Sequence, residues 1–238
     1  MGARVSLLFS IHFTRFLNGK ISNTRYSSIK RILKRLFVLV FALITFGTPA
    51  HANTPLRLLV LGDSLAAGYG LPQEATFPSQ LEAALRAKGR DVTVINAGVS
   101  GDTTSGGLAR LEWVLASTPT HVLVELGAND MLRAVSPSLT HQNLDKIVKD
   151  LKAKKIKVML AGMYASPNLG QVYTDAFRSV YTDLSKKHGI MLYPFFLEGV
   201  AAKRNLNQDD GIHPNERGVT VIVGRILPSI EKFLDEKE

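Results

Sequence analysis

Five short apolar runs recur along the chain after residue 55: LRLLVLG (Leu56 to Gly62), VTVINAG (Val92 to Gly98), HVLVELG (His121 to Gly127), IKVMLAGM (Ile156 to Met163) and the weaker IMLYPF (Ile190 to Phe195). Their near-continuous apolarity, with little alternation, is the pattern of strands buried on both faces and predicts a parallel sheet. Between them the apolar period changes to three and four. FPSQLEAALRAKG places Leu81, Ala84 and Leu85 on one helical face, with Pro78 at the start and Gly89 as a stop. The segment after Thr140, its expected N-cap, repeats the pattern with Leu144, Ile147, Val148 and Leu151. TTSGGLARLEWVLAS reads as one further helix and Tyr173 to Lys187 as another. A last helix is expected from Pro214, carrying Val219, Ile222, Val223, Ile226 and Leu227, with Pro228 kinking or ending it. Strand and helix alternate without repeat or linker, which predicts one doubly wound three-layer α/β/α domain over residues 53–238. Ligands of such folds bind beyond the carboxyl ends of the strands.

The amino end has a different character. Lys30, Arg31, Lys34 and Arg35 precede the apolar run LFVLVFALITF (Leu36 to Phe46), and Gly47, Pro49 and AHA at Ala50 to Ala52 follow. Charged, apolar and small-residue zones in that order predict a secretory signal peptide within residues 1–52, cut after Ala52, and a periplasmic or secreted mature protein. The run is well under the roughly 20 residues a membrane-spanning helix needs, so no stable span is expected after cleavage. The polar stretch of residues 1–29 is longer than such a leader requires, and a translation start further downstream is expected.

Processing changes the charge picture. The chain carries 29 Lys and Arg against 20 Asp and Glu, but residues 1–52 hold eight of the basic residues and no acid. Removing those eight leaves 21 basic against 20 acidic residues, so the basic balance belongs to the leader and gives no sign of nucleic-acid binding. The run KDLKAKKIK (Lys149 to Lys157) reads as the solvated end of a helix. With no cysteine, disulfides, thiolate nucleophiles and cysteine-ligated zinc are excluded.

Polar residues gather where the strands end. The first strand runs into GDS, the second into NAGVSGDT and the third into GAND, while the late loop DDGIHPN sets Asp210 and His213 three apart. A serine hydroxyl becomes a nucleophile when a histidine takes its proton and a carboxylate fixes that histidine's tautomer; Ser64, His213 and Asp210 supply the three roles. A developing oxyanion needs fixed donors, which the backbone N–H groups of Ser64 and Gly101 and the Asn129 amide could supply. Each residue alone has an ordinary alternative. A strand-end serine is commonly an N-cap, Gly101 could serve a positive-φ turn, Asn129 could cap the next helical turn, His213 could be an exposed loop histidine and Asp210 the N-cap of a short turn. Asp63, Asp102 and Asp130 read as turn-shaping residues, His121 and His188 as structural, and His141 as exposed. Metalloprotease, Walker and dinucleotide-binding motifs are missing, as is the G-x-S-x-G elbow.

Together, GDSL at Gly62 to Leu65, SGD at Ser100 to Asp102, GAND at Gly127 to Asp130 and DGIHP at Asp210 to Pro214 resemble, in order, the blocks of the GDSL/SGNH hydrolase superfamily. LGDSLAAGYGL, NAGVSGDTTSGGLARLEWVL, VELGANDMLR, PFFLEGVA and QDDGIHPN are most similar to its secreted bacterial esterases of the thioesterase I, lysophospholipase and arylesterase type. The resemblance implies Ser64 as nucleophile, Asp210 and His213 as its partners, and Ser64, Gly101 and Asn129 around the oxyanion. It also implies a flavodoxin-like fold with a five-stranded parallel sheet and no metal or organic cofactor. The implied partner is a small-molecule or lipid ester hydrolysed through an acyl-enzyme; envelope-carbohydrate O-deacetylation or O-acyl transfer by the same machinery is the alternative. Ala128 stands where relatives commonly carry a second glycine, and MYASPNLG has Ser166 and Leu169 where relatives more often show Pro and Tyr. That loop resembles the family's acyl-pocket wall, and Leu132, Met163 and Leu169 are the expected apolar wall residues.

Overall fold

A computed structural model describes residues 56–236. The leader, its apolar run and the cleavage site expected after Ala52 lie outside the described residues. The five apolar runs form β1 (Leu56–Gly62), β2 (Val92–Gly98), β3 (His121–Glu125), β4 (Lys157–Ala161) and β5 (Met191–Tyr193), all parallel, in the order β2-β1-β3-β4-β5. This is the flavodoxin-like order, with its reversal between β1 and β3. β3 is buried at every position and β1 from Leu58 onward, as expected of strands covered on both faces. β2, at one edge, alternates buried or half-buried positions with the exposed Thr93 and Asn96.

The connections supply eight helices among the described residues: α1 (Ser64–Ala67), α2 (Phe77–Ala87), α3 (Thr104–Ala109), α4 (Leu111–Leu115), α5 (Ala128–Leu132), α6 (Pro137–Ala153), α7 (Gln171–His188) and α8 (Glu216–Leu234). α2 packs on α8, while α6 packs on both α3 and α7, giving the two helical layers that right-handed crossovers require. None of these helices is long and apolar enough to cross a membrane.

Three local expectations are corrected and a fourth, at Pro228, is narrowed to one of its two alternatives. Thr140 does not cap α6: Ser136 does, accepting the Leu139 N–H with Pro137 at the first helical position, and the buried Thr140 hydroxyl instead donates to Asp130. TTSGGLARLEWVLAS breaks into α3 and α4 at Arg110, whose guanidinium turns inward to the Asp102 carboxylate and the Gly62 carbonyl. The last helix begins after Pro214, capped by Asn215, whose side chain accepts the Gly218 N–H. Pro228 lies inside α8, which runs on to Leu234. A mid-helix proline costs about 3 kcal/mol. Ile230, Phe233 and Leu234 beyond it are buried, each worth roughly 1.5–3 kcal/mol, so continuation wins.

Two of the three histidines set aside above have local roles. His121 meets the Thr120 hydroxyl at 2.9 Å and the edge of Phe233, and burial lowers its pKa to about 4. His188 is held by Asp145 at 2.6 Å, while His141 is half-buried and not exposed as expected.

Candidate active site

The site forms where β1 and β3 end, at the reversal of strand order. β1 stops at Gly62 and the chain turns at once into α1, with Asp63 as N-cap accepting the Leu65 N–H at 2.9 Å. The turn fits only because Gly62 and Gly98 lack side chains. A Cβ on Gly62 would strike Glu125 and Ala66, and one on Gly98 would strike the backbone of Ala66 and Ala67. Ser64 is therefore the first helical residue, its hydroxyl raised above the sheet.

The loop before α8 brings His213 to it. His213 Nε2 lies 2.9 Å from Ser64 Oγ, and Nδ1 lies 2.6 Å from Asp210 Oδ2. Asp210 also accepts the backbone N–H groups of His213 and Ile212 at 3.0 and 2.9 Å. The His213 backbone N–H, then its ring, then the Ile212 N–H hold the carboxyl down to a pKa of about 2. An ionised carboxylate only accepts, so the proton sits on Nδ1, and Nε2 is left to accept the serine hydroxyl. A serine so bonded can lose its proton to the ring as its oxygen attacks an electrophile.

The other two blocks converge on the same point. Gly101 takes φ +85° in the loop after β2, and its carbonyl accepts Arg133 Nη2 at 2.9 Å. Among the described residues no hydrogen bond occupies the N–H of Ser64 or Gly101. Asn129, in the first turn of α5, donates from Nδ2 to Asp63 Oδ2 at 3.0 Å. Buried Asp130 accepts the Thr104 N–H at 2.8 Å and the hydroxyls of Thr104 and Thr140, clamping the β2 loop to the β3 loop. Asp102 is paired with Arg110 at 2.5 Å. The three aspartates do shape turns, but Asp63 has the further task of holding Asn129.

Three residues of this assembly escape sequence reasoning. Gln208 donates through Nε2 to the carbonyls of Tyr69 and Pro214 at 2.7 and 3.0 Å, and its own N–H donates to His213 O at 2.7 Å. It ties the loop after Ser64 to the loop that carries His213. Tyr69 leans on the His213 ring, with centroids 4.6 Å apart, and Arg133 anchors Gly101. All three stand inside the quoted blocks LGDSLAAGYGL, VELGANDMLR and QDDGIHPN, but a side chain whose bonds or contacts run to chain far away in sequence shows its role only once the loops meet.

Ser64 and His213 open onto a cavity of about 680 Å³, within the range of small-molecule sites. Leu132 and Met163 line it, together with Tyr164, Phe195 and Ile212. Leu169 does not: it ends the 3₁₀ turn Pro167–Leu169, whose Ser166 and Pro167 side faces the cavity. Tyr164 stacks on Phe195 at 4.4 Å between centroids, with the Arg178 guanidinium 5.4 Å from the Tyr164 ring.

A strand-end serine bonded to a histidine at the mouth of an apolar cavity, on a doubly wound sheet, defines a class: hydrolases of carboxylic esters. The GDSL-like Lipase/Acylhydrolase family model matches residues 60–221, and the chain belongs to that family. It is 41% identical over 197 residues to an arylesterase of Vibrio mimicus, covering 82% of this chain and 98% of that one. It is 39% identical over 194 residues to the esterase TesA of Pseudomonas aeruginosa, covering 81% and 95%. Among solved structures, the psychrotrophic esterase EstA from Pseudoalteromonas sp., inhibited by monoethylphosphonate, aligns with TM-score 0.72 at 38% identity, covering 76% of this chain and 99% of that one. The five-stranded sheet and its helices are those of the SGNH hydrolases, as the sequence blocks imply.

Proposed function

We propose that the protein cleaves aryl esters, short to medium acyl esters and lysophospholipids through an acyl-enzyme on Ser64. The observation that carries this reading is the continuous hydrogen-bond chain from Ser64 Oγ through His213 to Asp210 at the mouth of an apolar cavity. Ser64 Oγ attacks the ester carbonyl while His213 Nε2 takes its proton. Charge on the carbonyl oxygen is met by the N–H groups of Ser64 and Gly101 and the Asn129 amide. His213 returns the proton to the leaving alcohol or thiol, and water activated by the same ring releases the acid. Asp210, ionised throughout, stabilises the imidazolium.

The apolar walls favour an acyl or aryl group over a sugar, whose hydroxyls would lose hydrogen bonds there. Acyl-CoA fits the chemistry but is scarce outside the cytoplasm, and the amino-terminal pattern supports export with residues 53–238 as the mature enzyme. Amino-terminal sequencing of the exported protein should begin at Asn53; retention of Lys30 to Phe46 would overturn cleavage.

The activity itself is tested with Ser64→Ala on p-nitrophenyl esters from acetate to decanoate and on lysophospholipid. Turnover should vanish across the series with circular dichroism unchanged. Turnover retained by the folded variant would remove Ser64 from the mechanism.

A further inference from the structure

Beneath the nucleophile loop lies a buried acidic pair that the reaction above does not use. Asp63 and Glu125 are both fully buried. The Asp63 N–H donates to Glu125 Oε2 at 3.3 Å, and Glu125 Oε1 has no partner among the described residues. Buried carboxyls are costly, and an unpartnered oxygen adds to the cost. Part of the arrangement is explained by the Asp63 contacts. Oδ1 caps α1 through the Leu65 N–H, and Oδ2 accepts one Nδ2 hydrogen of Asn129.

We propose that Asp63 is a positioning residue that orients the Asn129 amide toward the oxyanion. A primary amide carries two hydrogens on one nitrogen and an acceptor oxygen at its other end. A carboxylate only accepts, so an ionised Asp63 admits the NH₂ end of Asn129 and rejects the carbonyl end. With one hydrogen fixed on Oδ2, the other is presented outward on the Ser64 side. A neutral partner at position 63 loses this selection, because a protonated acid or an amide donates as well as accepts and tolerates the flipped Asn129. The inference rests on the reading of Asn129 as an oxyanion donor.

The surroundings keep Asp63 near the edge of ionisation. Burial raises its pKa to about 6, against the Leu65 N–H, the Asn129 amide and the charge of His213, which lower it, and Asp102, which raises it. Glu125 faces it from β3, its pKa pushed far up by burial and then by Asp63, which favours its neutral form beside the Asp63 charge. From α7 the Tyr181 hydroxyl donates elsewhere, to Leu126 O, and Arg110 pairs with Asp102. No cation forms an ion pair with Asp63 among the described residues; its carboxylate is divided between the Leu65 N–H on Oδ1 and the Asn129 amide on Oδ2.

The test is a double-mutant cycle on Asp63→Asn and Asn129→Ala, with kcat and KM for a p-nitrophenyl ester at pH 8. Asn129→Ala alone should lower kcat by roughly 10²- to 10³-fold, and Asp63→Asn by about tenfold or more with KM little changed. The double variant should be no slower than Asn129→Ala, because the residue being positioned is gone. A further tenfold loss in the double variant overturns the assignment while leaving the oxyanion reading intact; Asn129→Ala without effect overturns that reading and the assignment with it. If Asp63→Asn does not fold, wild type against Asn129→Ala decides. The ratio of their kcat/KM values should be constant near pH 8 and contract several-fold as Asp63 protonates below about pH 6. A ratio unchanged down to pH 5 overturns the assignment.

Discussion

Asp210 and His213 stand three residues apart on one loop, and the carboxylate holds the histidine twice: Oδ1 accepts its backbone N–H at 3.0 Å, and Oδ2 meets its ring Nδ1 at 2.6 Å. Ring orientation and loop conformation are thus set by a single side chain. That side chain is 37% exposed, so water can partly replace it.

Asp210→Asn should therefore lower kcat on p-nitrophenyl esters by about 10²-fold or more, short of the ~10⁴ seen for a buried triad aspartate. Its effect on stability has a definite sign. A carboxyl whose folded pKa is depressed contributes stability above the unfolded value near 3.8, and that contribution is lost as pH falls toward 2. Thermal midpoints of wild type and Asp210→Asn should differ at pH 7 and largely converge only as pH falls to about 2. Midpoints that stay equally far apart at both pH values would contradict the bonding described.

Gln208 offers a second check, on geometry across the site. Its Nε2 donates to two carbonyls, one on each loop. Gln208→Ala should lower kcat roughly tenfold with a small change in KM, since misplacing His213 from Ser64 costs rate more than affinity. Gln208→Glu should be no better, because a carboxylate cannot donate to either carbonyl. Restored activity in the glutamate variant would show that bulk, not hydrogen bonding, is what matters.

Glu125 should reveal itself in the pH dependence of stability. Its folded pKa is raised, by burial first and Asp63 second, so the folded state binds its proton more tightly than the unfolded chain. Its stabilising effect is complete below the unfolded value near 4.5 and declines as pH rises toward the folded value. Glu125→Gln removes this decline. Denaturant melts should show the glutamine variant gaining on wild type from pH 5 to pH 8; parallel pH curves would place an ionised Glu125 in the fold.

How much of this was legible in the sequence follows from the range of each interaction. The strands were readable because burial on both faces leaves uninterrupted apolar runs such as LLVL in β1, and the four polar blocks because each directly follows a strand or precedes a helix. Of the two outcomes open at Pro228, ending the helix is excluded by the buried Ile230 and Phe233 beyond it, which local backbone preference does not register. Thr140 was misread because its hydroxyl is claimed by Asp130, ten residues upstream. Asp63 was half-read: capping is a contact two residues long and visible locally, whereas its bond to Asn129 spans 66 residues and exists only once β1 and β3 are adjacent. Leu169 failed for a finer reason, since within a 3₁₀ turn one residue's rotation decides which side chain faces the cavity.

The central claim, that Ser64 is the one activated nucleophile, is tested most directly by covalent labelling. The purified protein would be inactivated with a p-nitrophenyl alkylphosphonate, and the modified peptide sequenced by mass spectrometry. The expected result is one phosphonyl group per chain, on Ser64, with p-nitrophenol released in equal amount and no label in Ser64→Ala. Loss of activity with the label on another residue, or equal labelling of the alanine variant, would contradict it.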